Sequence, residues 1–194
     1  MKLTRIFWTL FIIIGLFAIW HSSLLVSLLR PTLIRQGIVA NSPTDQTQDN
    51  QLTYESLGIH APLSIDAKTS PLIQSDWATI RLALLHGVSL SYQGEKFDTA
   101  SMAFITGHSS DTTRHSYDSV FASLGQASIG DMFSVNVDHQ QYKFQVISKQ
   151  QIAPSNADAF LALAPTDLSQ RIALVTCWPP LTTKMRMVVV GKRL

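Results

Sequence analysis

The alternation of apolar and polar positions divides the chain into three stretches. Ile6–Leu29 is a run of 24 residues without a formal charge, 18 of them apolar. As a helix rising ~1.5 Å per residue it reaches about 36 Å, enough to cross a hydrocarbon core of ~30 Å with some tilt. Residues 6–29 are therefore expected to be a transmembrane anchor, with residues 1–5 a cytoplasmic tail. A cleaved signal peptide would carry an apolar stretch of ~7–15 residues and then suitably placed small residues. Ile6–Trp20 has that length, but the small residues are misplaced and the apolar run resumes at Leu24. Asn41–Gln51 (NSPTDQTQDNQ) has no apolar residue. Residues 30–51 accordingly read as a solvated juxtamembrane linker. The folded domain is expected over residues 52–194, long enough for one core without metal or disulfide support.

Within that domain the period is mostly two. Met132–Val137 alternates Phe133, Val135 and Val137, and Gln141–Ile147 alternates Tyr142, Phe144 and Val146, which predicts a hairpin. Ser101–Thr106 ends at Gly107 and reads as a buried strand, as do Arg171–Cys177 and Met185–Val190, joined by WPPLTTK. Gly87–Tyr92 is a further strand candidate. Ile59–Ile65 reads as a strand broken by Pro62, hence at a sheet edge. Ser75–Leu85 and Ala157–Leu163 read as short helices, and Tyr117–Leu124 as one or two helical turns closed by Gly125. Six to eight short strands with few helices point to an all-β domain, a closed barrel or a sandwich; closure would remove the exposed edges.

Composition changes the picture in two places. The chain of 194 residues is 46% apolar and only 14% charged, which excludes a wholly disordered chain. The net charge of +2 arises from Lys2, Arg5, Arg30 and Arg35; residues 36–194 hold 11 basic and 13 acidic side chains, a net of −2. That balance argues against a nucleic-acid binder. A single cysteine, Cys177, excludes an internal disulfide and any zinc site built on two cysteines.

Cys177 ends an apolar strand and precedes Trp178-Pro179-Pro180, which stops the ladder and turns the chain. A cysteine there can reach a groove, although a free cysteine is often only a small buried hydrophobe. Arg186 follows nine positions later on the next strand, and a hairpin of this length makes the two cross-strand neighbours. An arginine there can favour the thiolate and donate to an oxyanion, or simply extend from the barrel to water. His108 follows a strand through Gly107 in FITGHSSD and suits a general acid or base. His115 is the reserve in the same loop. His21 lies in the anchor, His60 in the Pro-broken strand, His86 at a helix end and His139 in a hairpin turn. The histidines lack metal-ligand spacing, and Asp98, Asp111, Asp118 and Asp158 lack a calcium-loop pattern, so no metal or other cofactor is expected.

Thr106-Gly107-His108, Ala173-Leu174-Val175-Thr176-Cys177 and Arg186, in this order, resemble the sortase family. The likeness runs from about Leu57 to Leu194 and takes in the TGHSSD loop, VFASLGQASIGD and the TCWPP turn. Ala173 departs from a frequent threonine. Other cysteine peptidases fit less well: NlpC/P60 enzymes place cysteine before histidine, and L,D-transpeptidases carry a histidine and glycine just before the cysteine. The resemblance implies an eight-stranded barrel, on the extracytoplasmic face of the cell membrane behind a single-pass anchor. It implies a cysteine transpeptidase in which Cys177 attacks an LPxTG-like sorting signal, His108 moves protons, Arg186 holds substrate and oxyanion, and Thr176 helps shape that site. The implied acceptor is an amine of a cell-wall precursor or a pilin. A tethered binding barrel without chemistry, and a cysteine protease using water, are the alternatives.

Overall fold

The structure is a computed structural model and describes residues 11–12, 15, 22–39, 49–65, 77–92, 96–111, 116–156 and 170–194. Eight strands are present: β1 (Gln51–Tyr54), β2 (Ile59–Ile65), β3 (Val88–Tyr92), β4 (Met102–Thr106), β5 (Met132–Val137), β6 (Gln140–Ile152), β7 (Arg171–Trp178) and β8 (Met185–Arg193). They close into a barrel in the order β1-β2-β3-β4-β7-β8-β6-β5, with β5 returning to β1. The pairs β2–β3 and β4–β7 are parallel and the rest antiparallel. Closure leaves no edge, as an all-β chain of short strands requires.

Alternation assigns the two faces. Ala103 and Ile105 of β4, Ile172 and Leu174 of β7, and Met187 and Val189 of β8 point inward into one core with Leu52, Tyr54, Phe133 and Phe144. Tyr54, Phe133 and Phe144 stack in a row, with centroids 5.5 and 5.4 Å apart. The intervening positions Phe104, Ala173, Val175, Val188 and Val190 form a smaller apolar cluster on the outer face, flanked by Met102 and Ile152.

The expected β5–β6 hairpin is present, with Phe133 opposite Phe144. Three elements depart from expectation. Pro62 does not mark an edge, because β2 lies between β1 and β3. Leu63 N–H donates to the Asn50 carbonyl at 2.7 Å, so the face of Pro62 that lacks a donor looks away from β1. On that side the ladder to β3 starts only at Leu63, one residue later. β6 extends to Ile152, carried past a register shift between Val146 and Ser148 by pairing with β8. β1 was not expected as a strand; its polar Gln51 and Thr53 alternate with Leu52 and Tyr54, which are fully buried. The expected helix at 75–85 is helix α2 (Trp77–Leu84), whereas the one at 157–163 lies outside the described residues.

A first helix, α1 (Ser22–Arg35), precedes the barrel. It joins the end of the expected anchor to the start of the expected linker, and it lies on the barrel. Leu24 and Pro31, seven apart on one face, are buried. Ser27 Oγ meets Ser119 Oγ at 3.1 Å, and Gln126 Nε2 donates to the Leu28 carbonyl at 2.7 Å. Arg35 forms an ion pair with Asp131 at 3.3 Å. Asp131 also accepts from Tyr54 Oη at 2.9 Å and Ser56 Oγ at 3.3 Å. The end of the helix at Arg35 is thus tied to a carboxylate 96 positions away. Among the described residues, no helix is long and apolar enough to cross a membrane.

Candidate active site

The site is built on three adjacent strands, with β7 between β4 and β8. In β7–β8, Cys177 pairs directly with Arg186. In the parallel β4–β7 pair, Thr106 is level with Val175, and Gly107 N–H continues the ladder to the Val175 carbonyl at 3.2 Å. His108, two residues beyond Thr106, therefore emerges beside Cys177, two residues beyond Val175. Cys177 continues the outer row Ala173–Val175, and Arg186 continues Val190–Val188. His108 follows the row Phe104–Thr106. Cys177 and Arg186 share the outer face at one end of the apolar strip, and His108 leaves β4 at that same end.

Thr176 has the opposite parity. It is buried, and its Oγ1 donates to the Gly107 carbonyl at 2.7 Å. The residue before the cysteine thus holds the residue before the histidine from inside the barrel wall. Three further contacts fix the histidine loop. Phe121 N–H donates to the His108 carbonyl at 2.8 Å. Leu181 N–H donates to Ser110 Oγ and ties the β7–β8 turn to the same loop. Gly107 lies against the Phe121 ring so closely that an added Cβ would sit 2.6 Å from Cδ2. On the far side of the cysteine, the Trp178 indole lies over Gly125, where a Cβ would be 2.2 Å from the ring.

Electrostatics around the three residues are local. Arg186 Nη1 donates to the carbonyls of Thr183 at 3.2 Å and Met185 at 3.3 Å, within its own hairpin. His108 Nε2 lies 3.6 Å from Asp111 Oδ2. The adjacent carboxylate restricts the ring's orientation. In the sequence Asp111 is one of several scattered acids, and its spacing of three from His108 in a Ser-Ser-Asp turn is the signal that marks it. Ser110, Phe121 and Gly125 also escaped notice as supports, because their partners are distant in sequence. Thr106 Oγ1 and Ser109 Oγ are buried without a hydrogen-bond partner among the described residues.

The other histidines among the described residues stand apart from this arrangement. His60 lies 3.7 Å from Glu55, and His139 Nδ1 lies 2.6 Å from Asp49. His86 is exposed just beyond α2. His21 and His115 lie outside the described residues, as does most of the loop between Asp111 and Tyr117. No group of three or more His, Cys, Asp or Glu side chains gathers to hold a metal among the described residues.

Comparison with solved structures finds the same barrel in sortases. Sortase C of Streptococcus pneumoniae, described for its catalysis and pilin substrate specificity, superposes with a TM-score of 0.58 at 17% identity, covering 89% of this chain and 88% of that one. Sortase C of Clostridium perfringens, solved with the C-terminal cell wall sorting motif, gives 0.55 at 16% identity, over 89% and 88% of the chains. A lid mutant of sortase A from Corynebacterium diphtheriae gives 0.56 at 20% identity, over 91% and 94%. At these identities the likeness establishes the fold. No curated protein matches the chain by sequence. The profile of the Sortase domain, however, matches residues 57–194, the whole barrel from the turn after β1 onward. With barrel and profile in agreement over most of its length, the chain belongs to the sortase family of cysteine transpeptidases.

Proposed function

We propose that the protein cleaves an LPxTG-like sorting signal and transfers the acyl portion to an amine of a cell-wall precursor or a pilin, using Cys177, His108 and Arg186. One observation carries the reading. Cys177 pairs with Arg186 across β7–β8, and Gly107, the residue before His108, bonds to Val175 on the other side of β7. In the first half-reaction Cys177 Sγ adds to the scissile threonine carbonyl carbon. The oxyanion so formed is met by the Arg186 guanidinium. The intermediate collapses by breaking the C–N bond. His108 gives its proton to the departing amine, leaving a thioester on Cys177. In the second half, His108 takes a proton from the incoming amine, which attacks the thioester, forms the new amide and releases the thiolate. The S. pneumoniae and C. perfringens neighbours, associated with pilin substrates and a sorting motif, support this choice of substrate class. The membrane location rests on the uncharged run from Ile6, and the extracytoplasmic face on membership of the sortase family.

The test incubates the protein with LPxTG-like peptides, with and without an amine acceptor. The proposal expects an amide product that depends on the acceptor and vanishes in Cys177→Ala. Cleavage without an adduct would indicate a protease with water as acceptor. Absence of cleavage across a panel of signals would indicate a binding barrel. Either result overturns the transfer.

A further inference from the structure

Helix α1 has two unlike faces. One rests on the barrel through Leu24, Ser27, Pro31 and Arg35. The other presents Leu25, Val26 and Leu29, which are 38%, 60% and 60% exposed. Beside the helix, Arg35 reaches Ser128 Oγ at 3.5 Å and Asp131 Oδ2 at 3.3 Å. Between those two residues lies Ile129, at 73% the most exposed large apolar side chain among the described residues. Upstream of α1 the sequence stays free of charge back to Ile6.

These facts set a length conflict. Residues 22–35 lie along the barrel, so they cannot also span the hydrocarbon core. Only Ile6–His21, 16 residues, is left for that purpose. At ~1.5 Å per residue they reach about 24 Å, short of a core of ~30 Å. The shortfall closes when the exposed apolar face of α1 enters the interfacial region, which brings the barrel flush against the lipid.

We propose that Leu25, Val26, Leu29 and Ile129 form a docking surface for the lipid bilayer, holding the barrel against the membrane in one fixed orientation. The inference rests on the reading of residues 6–21 as membrane-embedded. Its consequence reaches the catalytic residues through one segment. Tyr117–Ser128 meets α1 through Ser119 and Gln126. The same segment meets the site through Phe121 at the His108 carbonyl and Gly125 beneath Trp178. A barrel held by α1 therefore presents Cys177 at a set position relative to the bilayer, where a barrel on a free linker would sample many.

The test uses the full chain with Cys177→Ala, so that a single introduced cysteine carries an environment-sensitive fluorophore. Ile129→Cys probes the surface. His139→Cys is the control, since it lies in the turn beyond Val137, at the other end of β5. Both proteins are reconstituted in phosphatidylcholine vesicles containing lipid brominated near the headgroup. The expected result is severalfold stronger quenching at 129 than at 139, and loss of that difference in Arg35→Ala with flotation unchanged. Flotation with equal quenching at both sites would overturn the docking surface while leaving the anchor standing. A probe at 129 that is shielded from water but not quenched would show a protein occupant, a second copy or residues 1–21, and also overturn it. Failure to float would overturn the anchor itself, and the docking surface with it.

Discussion

Cys177 and Arg186 are direct antiparallel partners across β7 and β8, the second-to-last residue of one strand facing the second residue of the next. The pairing sets the two residues side by side at the strand ends without any contact from a distant loop. Arg186→Ala should leave the barrel's melting temperature nearly unchanged, because its guanidinium bonds to carbonyls of its own hairpin. Steady-state kinetics should show kcat reduced by about 10²–10³-fold, the usual cost of losing an oxyanion donor. Arg186→Lys should restore part of that loss. An unchanged kcat in Arg186→Ala would place oxyanion stabilisation elsewhere.

Thr176 acts through the backbone of the histidine loop. Thr176→Val keeps the shape but removes the donor to the buried Gly107 carbonyl. Denaturant unfolding should show a loss of about 1–3 kcal/mol. The pH dependence of kcat/KM should also change, because His108 is no longer held in register. Thr176→Ser retains the donor and should recover both properties. A purely structural threonine would move stability alone.

Gly107 is needed for its lack of a side chain. A Cβ there would meet the Phe121 ring at 2.6 Å, inside any tolerated contact. Gly107→Ala should destabilise the fold by about 1–3 kcal/mol through overpacking. Adding Phe121→Leu should return part of that stability in a double-mutant cycle. Additive effects of the two changes would show that the contact is not the cause.

His60 couples stability to pH. Burial lowers its pKa from the usual value near 6.5; the Glu55 carboxylate opposes this shift, and the Arg30 guanidinium adds to it. The folded state therefore binds the proton less readily than the unfolded chain. Its contribution is fully present above the unfolded pKa of ~6.5 and is lost as the pH falls below it toward the folded value. Unfolding free energy should fall on acidification through this window, and His60→Gln should flatten that portion of the curve. A His60→Gln curve parallel to that of the parent would contradict the assignment.

The candidate site was more legible in the sequence than its scaffold. Thr-Gly-His and Val-Thr-Cys each close an apolar strand, and the spacing from Cys177 to Arg186 suits a hairpin, so local pattern alone set these residues at strand ends. That β4 and β7 lie side by side was not in any local pattern. Pro62 misled because a proline in a strand reports only a missing donor, not which neighbour is missing. The docking of α1 was hidden because uncharged residues look alike whether they face lipid or protein. Its deciding contacts, Ser27 with Ser119 and Arg35 with Asp131, join residues more than 90 positions apart. Asp111 carried a signal, the spacing of three from His108, that becomes meaningful only once the turn brings the carboxylate back to the ring.

The most direct test of the account is the intact mass of the protein after brief incubation with an LPxTG-like peptide and no amine acceptor. The account predicts a mass increase equal to the peptide's acyl portion, mapped to Cys177 on digestion, absent in Cys177→Ala, and discharged on adding an amine. Efficient cleavage of the peptide by Cys177→Ala would contradict it.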